Sequence, residues 1–187
     1  MSSRRRAFVG SLVFLVAAPG VMAGLVPWLL SRWHRDPGWP VPLQVSGWLL
    51  VALGGAGVLA TFAQFVWEGR GTPAPVAPTE RLVVRGLYRH VRNPMYLAVA
   101  TVIVGQAIAL PSLAVLVWAA GFVTVVATFV RAYEEPTLTR TQGASYDAYR
   151  RSVPGWRPRL TPWRGCRRGR DTQAPNASAY RAARSAE

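Results

Sequence analysis

Lysine is absent from this chain, cysteine occurs once and histidine twice among its 187 residues. With Cys166 alone, no disulfide can close within the chain and no cysteine-based metal site can form. His34 and His90 do not have the spacing of a ligand pair, so no metal is expected. Acids are scarce as well: eight Asp and Glu stand against 22 Arg, which leaves a net charge of +14. A charge of that sign first suggests nucleic acid as a partner. That reading leaves the long apolar runs unexplained, whereas anionic lipid headgroups account for the arginines directly. Membrane lipids are therefore the expected partner, and nucleic acid is not.

Apolar residues make up 51% of the chain and are gathered into uncharged runs between arginine clusters. Residues 7–30 carry no charge, nor do residues 42–67. Each is long enough to cross a hydrocarbon layer, which takes about 20 helical residues. Pro19 and Gly20 lie inside the first run and are tolerated there as a kink. The run 94–130 is too long for one span, and Pro111 with Ser112 divides it near the middle. The pattern predicts an all-α polytopic membrane protein with about four transmembrane helices, near 7–30, 43–67, 95–110 and 113–130. The last two form a helical hairpin whose first arm is short. A cytosolic helix is expected near 136–152. Residues 1–163 then form one domain, and the Arg- and Ala-rich residues 164–187 form a disordered tail.

Arginine placement sets the direction. Only Arg32 and Arg35 fall between the first and second spans, and the other twenty flank the opposite ends. Both termini are therefore expected in the cytosol, and the chain in the inner membrane if it is bacterial. The basic start, apolar stretch and small residues near Ala23 also fit a cleaved signal peptide. The apolar run continues past that point to Leu30, which favours a retained anchor.

Two motifs mislead. Residues 55–60 fit the dinucleotide pattern G-x-G-x-x-A, but they sit inside the second span rather than between a strand and a helix. Ala52, Ala56 and Ala60 there have the small-residue spacing that lets helices approach closely, so packing is the reading. The sequon at Asn176 falls on the cytosolic side and is discounted.

Chemistry is concentrated in two segments at the expected cytosolic rim. One runs from Glu80 through Gly86, Tyr88, Arg89, His90 and Arg92 to Asn93-Pro94-Met95-Tyr96. Pro94 suits a first helical turn and Asn93 its N-cap. The other begins with Arg131 and holds Glu134-Glu135-Pro136-Thr137-Leu138, then Gly143, Tyr146 and Tyr149. Glu134 and Glu135 are the only two acids close together in the chain. A hairpin over 94–130 brings the two segments side by side, so the Asn-Pro-Met-Tyr helix start and the Glu-Glu doublet become a candidate site.

These residues resemble the integral membrane methyltransferases that include isoprenylcysteine carboxyl methyltransferase and the phospholipid N-methyltransferases. The likeness covers about residues 79–158. It rests on Leu82-Val83, Gly86, Tyr88, Arg92-Asn93-Pro94-Met95-Tyr96, Glu134-Glu135 with Leu138, and Gly143 with Tyr146 and Tyr149, in order and at matching spacing. Val153-Pro154 and Pro158 continue it. The family's histidine is Asn93 here, which hydrogen-bonds but cannot take up a proton near neutral pH. The first two spans contribute no motif.

The resemblance implies S-adenosylmethionine as methyl donor and a lipophilic acceptor. Carboxyl O-methylation of the isoprenylcysteine type is favoured, with phospholipid amine N-methylation as the alternative and a non-catalytic lipid- or partner-binding module as a third reading. It implies that Leu82, Val83, Tyr88, Asn93, Pro94, Met95, Tyr96 and Glu134 contact the cofactor. It also implies that Arg131 orients the acceptor, and Glu135 shares a role with its neighbour. Residue chemistry agrees. Glu134 or Glu135 suits the donor's ammonium or ribose hydroxyls, and Arg92 or Arg89 its carboxylate. Tyr88 or Tyr96 suits its sulfonium, an attraction of about 0.5–2 kcal/mol.

Overall fold

The computed structural model describes residues 16–34, 38–68 and 84–164, and all regular structure among them is helical. A wide, π-helical stretch over Val16–Leu25 runs into α1, Val26–Ser31. The long α2 spans Val41–Glu68. A single 3₁₀ turn, Gly86–Arg89, precedes α3, Pro94–Ala109. Then come α4, Leu113–Phe129, a π-helical segment Val130–Glu134, and the short helices α5, Glu135–Gln142, and α6, Ala144–Ser152. Residues 1–15, 35–37, 69–83 and 165–187 lie outside the described residues, and with them Arg35, Leu82 and Val83.

Two helical stretches are long and apolar enough to cross a membrane: Val41–Gln64 and Leu113–Gln142. Ala18–Ser31 and Pro94–Ala109 are apolar but shorter. Leu49, Leu53, Leu59, Leu113, Val117 and Val125 are largely exposed, as a lipid-facing surface requires. The apolar run breaks at Pro111 and Ser112. Ser112 caps α4, its hydroxyl accepting from the Val115 N–H at 3.3 Å.

Helices α2 and α3 pack most closely, and glycine makes this possible. A β-carbon on Gly47 would lie 2.5 Å from the Ala109 nitrogen, and one on Gly54 would lie 2.7 Å from the Ala98 carbonyl. Gly105 on α3 is equally tight against the Gly47 carbonyl, at 2.7 Å. The contact stripe on α2 is Gly47, Gly54, Val58 and Thr61, all buried. This corrects the expectation from Ala52, Ala56 and Ala60, which point outward and are exposed. Both sets are small residues on an apolar helix, and only the positions without a β-carbon allow backbone against backbone. Behind α3 the core continues through Ile103, Val115, Ala119 and Phe122.

Pro27 explains how the first helix is tied in. It has no N–H, so the carbonyls four and five residues back, Ala23 and Met22, lose their helical donor. Side chains replace it. Gln106 Nε2 donates to the Ala23 carbonyl at 2.6 Å, and Trp118 Nε1 donates to the Met22 carbonyl at 2.9 Å. Gln106 is buried. Gln106→Leu strands a carbonyl in an apolar core, and we expect a loss of about 1–3 kcal/mol. Thermal unfolding in detergent checks this, and an unchanged midpoint contradicts it.

Candidate active site

The site forms where the start of α3 meets the end of α4. Pro94 occupies the first turn of α3 and Asn93 the N-cap position. The Asn93 side chain makes no capping bond, and its Nδ2 is buried without an acceptor among the described residues. Two residues into the helix, the Tyr96 hydroxyl donates to Glu134 Oε2 at 3.2 Å. Residues 38 positions apart thus meet at one end of the bundle.

Glu134 and Glu135 are adjacent in sequence but differ in partners. Glu135 is held by two cations. Arg92 Nη1 lies 2.8 Å from its Oε1 and Arg150 Nη2 lies 3.2 Å from its Oε2. The side chains of Arg92 and Glu135 are only 14% and 12% exposed, so this pair is not a solvated surface contact. Arg92 Nη1 also donates to the Tyr146 hydroxyl at 3.1 Å. Arg92 Nε is buried and without a partner among the described residues. Glu134 accepts from Tyr96, and no arginine among the described residues lies within ion-pair distance of it.

The C-terminal segment clasps the loop that carries Tyr88 and Arg92. The Arg92 N–H donates to the Pro154 carbonyl at 2.9 Å, and the Asn93 N–H donates to the Gly155 carbonyl at 3.3 Å. Arg159 and Trp163 donate through their N–H groups to the carbonyls of His90 and Arg89, at 3.0 and 2.9 Å. From α6, the Tyr149 hydroxyl donates to the Tyr88 carbonyl at 2.7 Å, and its ring packs on Trp163 with centroids 5.4 Å apart. Tyr146, Tyr149 and Arg150 form one face of α6 by helical spacing. Gly143, at φ +51°, separates α5 from α6 where a single cytosolic helix was expected, and lets α6 turn back over the site.

Burial shapes the tyrosines. Burial first, then the charge of Glu134, pushes the Tyr88 phenol well above the ordinary tyrosine range. Tyr146 is raised by burial as well, with Arg92 pulling the other way. Both phenols therefore stay neutral across the physiological range.

The predicted residues therefore divide. Arg92, Asn93, Tyr96, Glu134 and Glu135 come together, with Pro94 and Met95 buried beneath them and Tyr88 on the adjoining turn. Arg131 is exposed and its side chain has no hydrogen bond or ion pair among the described residues. Arg150, Trp163 and the backbone at Pro154 and Gly155 were not predicted. Only the three-residue step from Tyr146 to Tyr149 and Arg150 hinted at the first of them.

A family model described as phospholipid methyltransferase matches residues 43–145, just over half of the chain. The chain belongs to the phospholipid methyltransferase family. No curated protein and no solved structure matches it. The family match begins within α2, a helix whose sequence carries no legible motif of its own, and ends at the start of α6. Membership makes this a membrane methyltransferase by family, and the two long apolar helices agree with that.

Proposed function

We propose that the chain transfers a methyl group from S-adenosylmethionine to a lipophilic acceptor at the cytosolic face of the membrane. The hydrogen bond joining Tyr96 to Glu134, in a chain of a methyltransferase family, carries this reading. Four spans with cytosolic termini are part of it, α3 and α4 forming a hairpin. The arginine asymmetry and the short turn at Pro111 support that topology.

The residues present fit the donor. It is cationic at sulfur and nitrogen, and Glu134 is a half-buried carboxylate with no cation beside it among the described residues. It also offers acceptors, and Arg92 Nε and Asn93 Nδ2 are buried donors without one among the described residues. We assign Tyr88, Pro94, Met95 and Tyr96 to the same donor site, with Leu82 and Val83 assigned by resemblance alone. When bound, the donor supplies an already activated methyl carbon. What remains for the protein is alignment and exclusion of water. Asn93 serves by holding, not by proton transfer. Glu135, gripped by Arg92 and Arg150, is a positioning residue that sets Arg92 in place. Arg131, exposed one turn before the doublet, is retained for orienting an acceptor that arrives from outside the bundle.

The acceptor has two candidate chemistries. A carboxylate of the isoprenylcysteine type suits Arg131, and a phospholipid amine is supported by the description of the matched family. Membranes with and without the chain, incubated with methyl-labelled donor, test the proposal. Chain-dependent label in the lipid extract is expected. Base-labile label indicates an ester and base-stable label an N-methyl product. No chain-dependent label overturns the reading.

A further inference from the structure

The matched family region ends at residue 145, and the chain beyond it returns to the start of α3. Two successive N–H groups, of Arg92 and Asn93, donate to two successive carbonyls, of Pro154 and Gly155, at 2.9 and 3.3 Å. Gly155 is thereby fixed beside both side chains. A β-carbon on it would stand 3.1 Å from Arg92 Nη2 and 3.6 Å from Asn93 Nδ2. The first distance is closer than an ordinary van der Waals contact. Gly155 is not needed for its backbone: among the described residues only Gly86 and Gly143 are glycines at positive φ. What it supplies is room beside the guanidinium.

Arg92 has little freedom to yield. Its Nη1 donates to Glu135 Oε1 at 2.8 Å and to the Tyr146 hydroxyl at 3.1 Å. Glu135 is in turn held by Arg150 at 3.2 Å. Arg92 Nε and Asn93 Nδ2 are buried and have no acceptor among the described residues. In a guanidinium the Nε hydrogen shares an edge with one Nη2 hydrogen, and that edge matches the two oxygens of a carboxylate. Asn93, only 7% exposed, adds a donor next to it. Buried donors left unmet are costly, so this arrangement favours a ligand that brings oxygens. Arg89, the other arginine whose chemistry suits a carboxylate, is engaged elsewhere. Its Nε donates to the Trp163 carbonyl at 2.6 Å, and it lines a separate cavity with Gln64 and His90.

We propose that Gly155 is a positioning residue of the donor site. It lets the C-terminal segment lie against Arg92 without turning the guanidinium, so that Arg92 and Asn93 together hold the carboxylate of the donor's amino-acid end. The ammonium of the same end stays with Glu134. The chain therefore selects donors that carry the carboxylate. This role holds only where the methyl donor binds beside Tyr96 and Glu134, as proposed above.

Calorimetry of the full chain in neutral detergent tests it with two ligands. One is S-adenosylhomocysteine. The other is its decarboxylated form, which keeps the nucleoside, thioether and ammonium. Wild-type protein is expected to bind the second about tenfold more weakly, the scale of one charge-assisted contact. Gly155→Ala is expected to lose about the same factor for S-adenosylhomocysteine and nothing for the decarboxylated ligand, so that the two bind alike. Its thermal midpoint is expected at or above the wild-type value, because alanine has fewer unfolded conformations than glycine. Asn93→Asp adds no bulk and sets an acid beside the subsite, and it is expected to prefer the decarboxylated ligand. A mere packing role for Gly155 predicts instead a lower midpoint, or no folded protein, with equal loss for both ligands. That result overturns the proposal. So does equal wild-type affinity for the two ligands, undiminished discrimination in Gly155→Ala, or an unchanged preference in Asn93→Asp. Wild-type protein that binds neither ligand contradicts the methyl-donor reading itself, and the role of Gly155 falls with it.

Discussion

Glu134→Gln is expected to weaken binding of S-adenosylmethionine or its demethylated product at least about tenfold, because a desolvated charge-assisted contact is worth about 1.5–3 kcal/mol. The unliganded protein should lose no stability and is expected to gain some. Glu134 is a half-buried carboxylate with no cation beside it among the described residues, which is costly, and glutamine keeps an oxygen for the Tyr96 hydroxyl to donate to. Affinity and stability therefore move in opposite directions, which a merely structural role for Glu134 does not produce. Tyr96→Phe should lower affinity by a smaller factor, since it removes one neutral hydrogen bond and leaves the charge. Calorimetry and thermal unfolding on the same samples provide both readouts. Unchanged affinity in both variants removes these residues from the donor site. A joint fall in affinity and stability in Glu134→Gln contradicts the assignment of that charge to a ligand.

Gly54→Leu is expected to be the most damaging single change in the helices. Even its β-carbon would stand 2.7 Å from the Ala98 carbonyl and 2.9 Å from the Val102 nitrogen, both backbone atoms that cannot swing aside. Helices α2 and α3 must then separate. Overpacking a tight core costs about 1–3 kcal/mol and sometimes more, and a leucine driven between two backbones belongs at or beyond the upper end. Ala56→Leu adds more carbon to the same helix on its exposed face and should be nearly neutral. The comparison is made by yield of folded protein and thermal midpoint in detergent. If Gly54→Leu and Ala56→Leu behave alike, α2 does not pack as described.

The contrast between those two positions shows what a membrane sequence reveals. Arginine clusters and uncharged runs mark where helices begin and end, because charge is expensive in hydrocarbon and cheap beside headgroups. The break at Pro111 and Ser112 was legible for the same reason, as a proline and a capping serine between two apolar stretches. The buried face of α2 was not. Lipid is as apolar as the core, so no alternation of polar and apolar residues marks the inner side. The small-residue spacing of Ala52, Ala56 and Ala60 therefore pointed to the wrong stripe, and only the backbone contacts identify Gly47 and Gly54.

The site divides in the same way. Asn93, Tyr96 and the Glu134-Glu135 doublet stood out because polar residues at the ends of an apolar run are brought together by the chain's return. That Glu135 is already neutralised by Arg92 and Arg150, while Glu134 has no such partner among the described residues, could not be read from two identical neighbours. It depends on α6 turning back at Gly143 and on the Pro154 and Gly155 carbonyls fixing the loop at Arg92 and Asn93. Those contacts are distant in sequence and leave no periodic trace.

The most direct measurement is a calorimetric titration of the purified chain in neutral detergent with S-adenosylhomocysteine, the donor without its methyl group. Saturable binding at one molecule per chain, lost or much reduced in Glu134→Gln, is the predicted result. A titration with no heat beyond dilution, from protein that remains folded throughout, contradicts a methyl-donor site at Tyr96 and Glu134.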